Sequence, residues 1–113
     1  MEGEERQFLM TTAWLFMRHG QSRRALCVFE ALFEDDPRDG TAAVALAELL
    51  IDGGKAARAI EVLHSTYVPG DLLHASAVLE TRALRMLGRK READERWSRY
   101  VESRKGASRR WMA

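Results

Sequence analysis

The sequence predicts an all-α fold of stacked helix-turn-helix repeats, and three observations predict it. Gly20, Gly54 and Gly88 recur at one fixed interval, alanine follows each five places later at Ala25, Ala59 and Ala93, and a bulky apolar residue follows nine later at Phe29, Leu63 and Trp97. Glycine lets the backbone turn, a small residue lets two helices approach closely, and a large one interlocks with its neighbours. A repeating pair of helices needs all three, so the function expected of the chain is binding.

Further columns keep the same register. Phe33, Tyr67 and Val101 lie thirteen places after the glycines, and Phe16, Leu50 and Leu84 lie four before them. A closing proline stands at Pro37, seventeen after Gly20; Pro69 comes two positions early in the second unit, and the third has none. The interval between the glycines, glycine, alanine and proline together resemble the tetratricopeptide repeat, whose period is about 34 residues. The expected architecture is three tandem units, about 6–39, 40–73 and 74–105, forming a short right-handed superhelix within one domain spanning 1–105. Residues 106–113 are expected to form a flexible basic tail.

Each element follows from local pattern. Phe8, Leu9, Ala13, Phe16 and Met17 recur at helical spacing and predict a first helix over about Glu5 to Arg18, broken by Gly20, with Phe8, Leu9, Ala13 and Phe16 as its expected buried face. Ser22 is the expected N-cap of a second helix, about Arg23 to Glu34, whose buried face is Ala25, Leu26, Phe29 and Phe33 and which Asp36-Pro37 stops. Asp39 or Thr41 caps a third helix, alanine-rich from Ala42 to Ile51 and apolar except for Glu48. That composition predicts a central position.

Gly53-Gly54 ends the third helix, and Lys55 to about Thr66 forms the fourth. After the Val68-Pro69-Gly70 turn, Asp71 is expected to cap a fifth helix, about Leu72 to Leu87, which presents the apolar Ala75, Val78, Leu79, Ala83, Leu84 and Met86. The sixth, about Lys90 to Lys105, carries only the narrow apolar stripe Trp97, Tyr100 and Val101. It reads as a terminal cap, apolar inward and charged outward.

Composition sets the limits. The chain has 113 residues, 46% hydrophobic and 31% charged, which suits one small domain. No run of about eighteen uncharged apolar residues occurs, and Met1 to Glu5 lacks the basic and apolar regions of a secretory signal, so a cytoplasmic location is expected. The single Cys27 has no second cysteine to pair with and reads as a small buried residue. Residues 1–70 hold seven Lys/Arg against eleven Asp/Glu, net −4, whereas residues 71–113 hold eleven against six, net +5. The interleaved Glu92, Asp94, Glu95 and Glu102 weaken a continuous positive stripe, so nucleic acid is not the expected partner. A nucleic-acid or anionic-membrane binder remains the reading from a different class, and it predicts binding that weakens steeply with salt.

In a tetratricopeptide stack the first helices of the pairs line the concave surface. Counting the units from Arg6, Gly40 and His74, the groove positions are Gln7, Met10, Trp14 and Met17; Thr41, Val44, Glu48 and Ile51; Ala75, Val78, Arg82 and Arg85. Met10, Trp14, Met17, Val44, Ile51 and Val78 are sizeable and apolar, which suits the greasy face of a partner helix, with Glu48, Arg82 and Arg85 setting its orientation. A core role for Met10, Trp14 and Met17 is the competing reading. Catalysis finds no support: His19, His64 and His74 lack metal-ligand spacing, and Gly53-Gly54-Lys55 lacks the rest of a phosphate-binding loop. Neither a cofactor nor a metal is expected.

Arg6-Gln7-Phe8-Leu9, Trp14-Leu15 before Gly20, the run Ala25-Leu26-Cys27 to Ala31-Leu32, Pro37 and the three-unit length resemble the YscY (SctY) chaperones of bacterial type III secretion systems. The resemblance covers about residues 6–105 and is strongest in the first unit. It implies a cytosolic chaperone that forms a heterodimer with a small secreted partner of the YscX type through its concave side. It also implies that the pair engages the export-gate protein, so that the chain meets the inner membrane through the secretion apparatus. Tyr67-Val68-Pro69-Gly70 and the arginine-rich end with Trp111 do not match that pattern. Keeping the fold but changing the client gives a chaperone of needle or translocator subunits, or a general adaptor.

Overall fold

Glycine at position 20 does what only glycine does cheaply: its φ is +72°, and the same left-handed geometry recurs at Gly54 (+79°) and Gly88 (+76°). At each, the glycine N–H donates to the carbonyl three residues back, and the next residue donates across the turn to the carbonyl five back. Gln21 reaches Phe16 at 2.8 Å, Lys55 reaches Leu50 at 2.7 Å and Arg89 reaches Leu84 at 2.9 Å. This pair of bonds is the Schellman motif, which satisfies carbonyls a helix end leaves free. The residue after the glycine then accepts the first bond of the following helix, from Ala25, Ala59 and Ala93 in turn. All three alanines are fully buried. The even spacing of the glycines is therefore a recurrence of backbone hydrogen bonds as well as of letters.

The computed structural model describes residues 1–112. It contains α1 (Gly3–Arg18), α2 (Ser22–Asp35), α3 (Gly40–Asp52), α4 (Ala56–His64), α5 (Leu73–Met86) and α6 (Lys90–Met112), with a 3₁₀ turn at Gly70–Leu72. Helices pair in sequence, α1 with α2, α3 with α4 and α5 with α6, and each hairpin packs on the next through α2 against α3 and α4 against α5. Extents of 43 × 36 × 24 Å and a radius of gyration of 15.3 Å, against about 13 Å for a spherical domain of this length, describe an elongated stack.

The core is centred on α3. Ala42 to Ala47 and Leu49 to Ile51 are all buried, because the helix touches α2, α4 and α5 at once and its alanines permit that crowding. Asp39 caps it: one carboxylate oxygen accepts from the backbone N–H groups of Thr41 and Ala42, both at 3.1 Å. The other receives Arg6 of α1 at 2.8 Å, and the same guanidinium reaches Asp35 at 2.9 Å and the Leu32 carbonyl at 3.1 Å. One arginine thus ties α1 to the end of α2 and the start of α3.

Several expectations are corrected. The helix α4 stops at His64, short of Thr66, because Ser65 folds its hydroxyl onto the Val62 carbonyl at 2.8 Å and Val68, preceding proline, disfavours helical backbone. Tyr67 therefore leaves the apolar column and is exposed. Its carbonyl and Pro69 instead lie over Gly40, where a Cβ would fall 2.6 and 2.5 Å from them. Neither Ser22 nor Asp71 caps a helix; Gln21 and Leu72 hold those positions without side-chain bonds. Cys27 and Phe8 are exposed, both lying on helix sides that no other described helix covers. The expected tail also differs. Residues 106–112 continue α6, since no proline interrupts them and the good helix formers Ala107, Arg109, Arg110 and Met112 propagate a helix across one glycine; Ala113 lies outside the described residues.

Candidate partner-binding surface

The candidate surface lies on the first helix of each hairpin. Along α1, Gln7, Met10, Trp14 and Met17 flank the buried Ala13. Met10 and Met17 are half-buried against the core, Gln7 is exposed, and Trp14 is 39% exposed. The Trp14 ring meets Phe29 edge-on, 5.5 Å between centroids with planes at 78°. Phe29 is fully buried, so it braces the indole while leaving one side to solvent.

On α3 the expected apolar line is not open. Val44 is 7% and Ile51 2% exposed, so both belong to the core and are withdrawn from the surface. The physical reason is the number of neighbours: a central helix packed on three sides has only a narrow outward strip. That strip is polar, with Thr41 exposed, Glu48 half-buried and Asp52 exposed. The stack therefore presents an apolar patch on α1 followed by a carboxylate-bearing strip on α3.

The α5 positions are brought together with a residue from α6. Val78, Arg82 and Arg85 line a shallow cleft of about 250 Å³ with Thr81 and Trp97. Ala75 is half-buried against the core. Arg82 lies 3.6 Å from Asp52 and Arg85 lies 3.5 Å from Asp94, all four side chains being exposed. Such solvated pairs contribute little to stability and can be exchanged for a partner's carboxylates. The Thr81 hydroxyl is buried with no hydrogen-bond partner among the described residues.

Behind this cleft lies an ion cluster that sequence reasoning missed. Glu80 of α5 accepts from Arg96 of α6 at 2.5 Å and lies 2.6 Å from His64 Nε2 at the end of α4. Burial by itself raises the Glu80 pKa, but hydrogen bonds from Arg96 and His64, with their charges, outweigh it and hold the carboxyl below its ordinary value. The cluster fastens α4, α5 and α6 to one another. Opposite charges on three separate helices carry no short-range spacing signal, so a sequence scan passes over them. Trp97, read as part of a terminal cap, also serves as one wall of the cleft, which the register alone could have indicated.

Among the described residues no group of three or more His, Cys, Asp or Glu could hold a metal ion, and no helix is long and apolar enough to cross a membrane. Comparisons with protein-family profiles, curated proteins and solved structures gave no match. The arrangement consists of surface features suited to holding a polypeptide: an aromatic anchor, adaptable methionines and flanking charges.

Proposed function

We propose that this chain is a tetratricopeptide-like chaperone or adaptor that holds a segment of another protein along the first helices of its hairpins. In this reading the units about 6–39, 40–73 and 74–105 wind into a short right-handed superhelix, and its concave wall carries the surface described above. The observation that supports it best is the Schellman turn repeated at Gly20, Gly54 and Gly88, each time followed by a fully buried alanine. Repeat stacks of that construction offer an extended face to a partner.

Within that class, the resemblance of the first unit favours a chaperone of a type III secretion system. It would be cytosolic, bind a small secreted protein of the YscX kind, and help present it to the export gate. The surface suits an amphipathic helix whose apolar residues rest on Met10, Trp14 and Met17 and whose acidic residues meet Arg82 and Arg85. Glu48 and Asp52 would take its basic groups. The α1 patch is apolar, whereas the α3 strip and the α5 cleft set charges beside Val78 and Trp97, so capture relies on both anchoring and charge.

Coexpression with the product of each neighbouring reading frame tests this directly. One of them should co-purify in a defined ratio. Trp14→Glu, and separately Arg82→Glu with Arg85→Glu, should each abolish capture with circular dichroism unchanged, since these residues are exposed. A partner that binds all these variants as well as the parent chain would overturn the surface. A needle or translocator subunit as the captured product would keep the fold reading and change the client.

A further inference from the structure

The two ends of the stack leave open the positions that its inner seams close. On α3, Ala42, Ala45 and Leu49 are buried, and at the matching places of the next unit Ser76, Leu79 and Ala83 of α5 are buried too. By the angular step of a helix these lie on the side turned away from its own hairpin partner, where the preceding hairpin packs. The same three positions on α1 are Phe8, Thr11 and Leu15. All are exposed, Phe8 at 70% and Leu15 at 49%. At the opposite end, Trp97 occupies the place of the buried Phe29 and Leu63 yet is partly exposed, and Trp111 further along α6 is exposed as well.

Charge matches these ends to each other. Within the stack the end of α2 lies beside the start of α3, because a short loop joins them. By the glycine register Asp35 at the end of α2 corresponds to Ser103, so a seam of the same kind between two molecules sets α6 around Ser103 and Arg104 against the first turn of α1, with the basic turns at Arg109 and Arg110 continuing just past it. The N-cap and first turn of α1 carry Glu2, Glu4 and Glu5, the last turn of α6 carries Arg109 and Arg110, and Arg104 lies before them on the same helix. Among the described residues none of these six has an ion-pair partner. A symmetric pairing of α1 with α1, or of α6 with α6, would bring like charges together.

We propose that a second copy of this chain covers the open α1 face, laying its α6 along it with the basic C-terminal turns beside the acidic start of α1, and so extending the stack head to tail. The contact is heterologous, so it grows into short oligomers or closes into a ring. Of the client surface it shares only Trp97 at the edge of the cleft, and it uses neither Trp14 nor Arg82.

Sedimentation velocity over a concentration series is the test. The expected mass rises with concentration and falls back toward the monomer as salt is added. Phe8→Glu with Leu15→Glu blocks one end, and Arg109→Glu with Arg110→Glu blocks the other; each variant alone should stay monomeric with helicity unchanged. Mixed together they should associate, because each supplies the end the other lacks. A monomer at every soluble concentration overturns the proposal, as does a closed dimer that only one variant disrupts or a mixture that remains monomeric. Client capture by both variants should be unaffected, which separates this result from a failure of the chaperone reading.

Discussion

Leu15 and Leu49 hold the same place in successive units, on the first helix of the first and second hairpins. One is 49% exposed and the other 7%. Residue type and local structure are identical, so the difference comes from neighbours alone: α2 covers that side of α3, and nothing among the described residues covers that side of α1. In a stack, burial is assigned by position in the array, and the inner and outer hairpins need different sequences at matched sites even when they do not have them.

Substituting this matched pair tests the comparison most strongly. Leu49→Ala should cost about 3 kcal/mol, within the usual span for a buried leucine whose cavity relaxes only partly. Leu15→Ala should cost less than about 1 kcal/mol, as an exposed change does. Urea unfolding of dilute protein measures both. Equal losses would mean that the side chain of Leu15 is covered in solution, and the contrast between the hairpins would vanish.

The same contrast explains what could be read in advance. The glycine-alanine register, the helix order and a cap at Asp39 or Thr41, which the structure resolves to Asp39, were legible because each depends on residues within a few positions along the chain. Val44 and Ile51 were misassigned because a groove position in a generic unit is open only if the helices on either side leave it so, and the alanines of α3 let them close in. Phe8 failed the opposite way: helical spacing grouped it with Leu9 and Phe16, but it lies well round the helix from Ala13, on the uncovered side. The Arg6 tie and the Glu80 cluster join side chains 16 to 33 residues apart, beyond the reach of periodicity.

A second test compares the tie in the first hairpin with the one in the last. Glu80→Gln removes the charge that holds Arg96 and His64, leaving a guanidinium half-buried without its carboxylate. At neutral pH the expected loss is about 2 kcal/mol. Its pH dependence carries a definite sign. A carboxyl held below its ordinary value of 4.5 binds its proton less readily when folded than when unfolded, so its contribution is complete above that value and disappears as pH falls through the lower folded one. The gap between parent and variant should therefore narrow on acidification. A gap that widens below pH ~4 would show that burial, and not the Arg96 and His64 bonds, governs this carboxyl.

The smallest effect sharpens the comparison at the turns. Gly20, Gly54 and Gly88 share one backbone geometry, and a Cβ on any of them would meet no atom within 4 Å. Alanine there costs about 1–2 kcal/mol in left-handed strain, partly offset by about 0.5 kcal/mol from a less flexible unfolded chain. The net loss, about 1 kcal/mol, should then be the same at all three sites, outer and inner hairpins alike. Differential scanning calorimetry of the three single variants would show near-equal drops in Tm. A markedly larger drop for Gly54→Ala would locate the special status of the middle hairpin in its turn as well as in its packing, because only coupling between backbone strain and the crowded α3 could separate it from the other two.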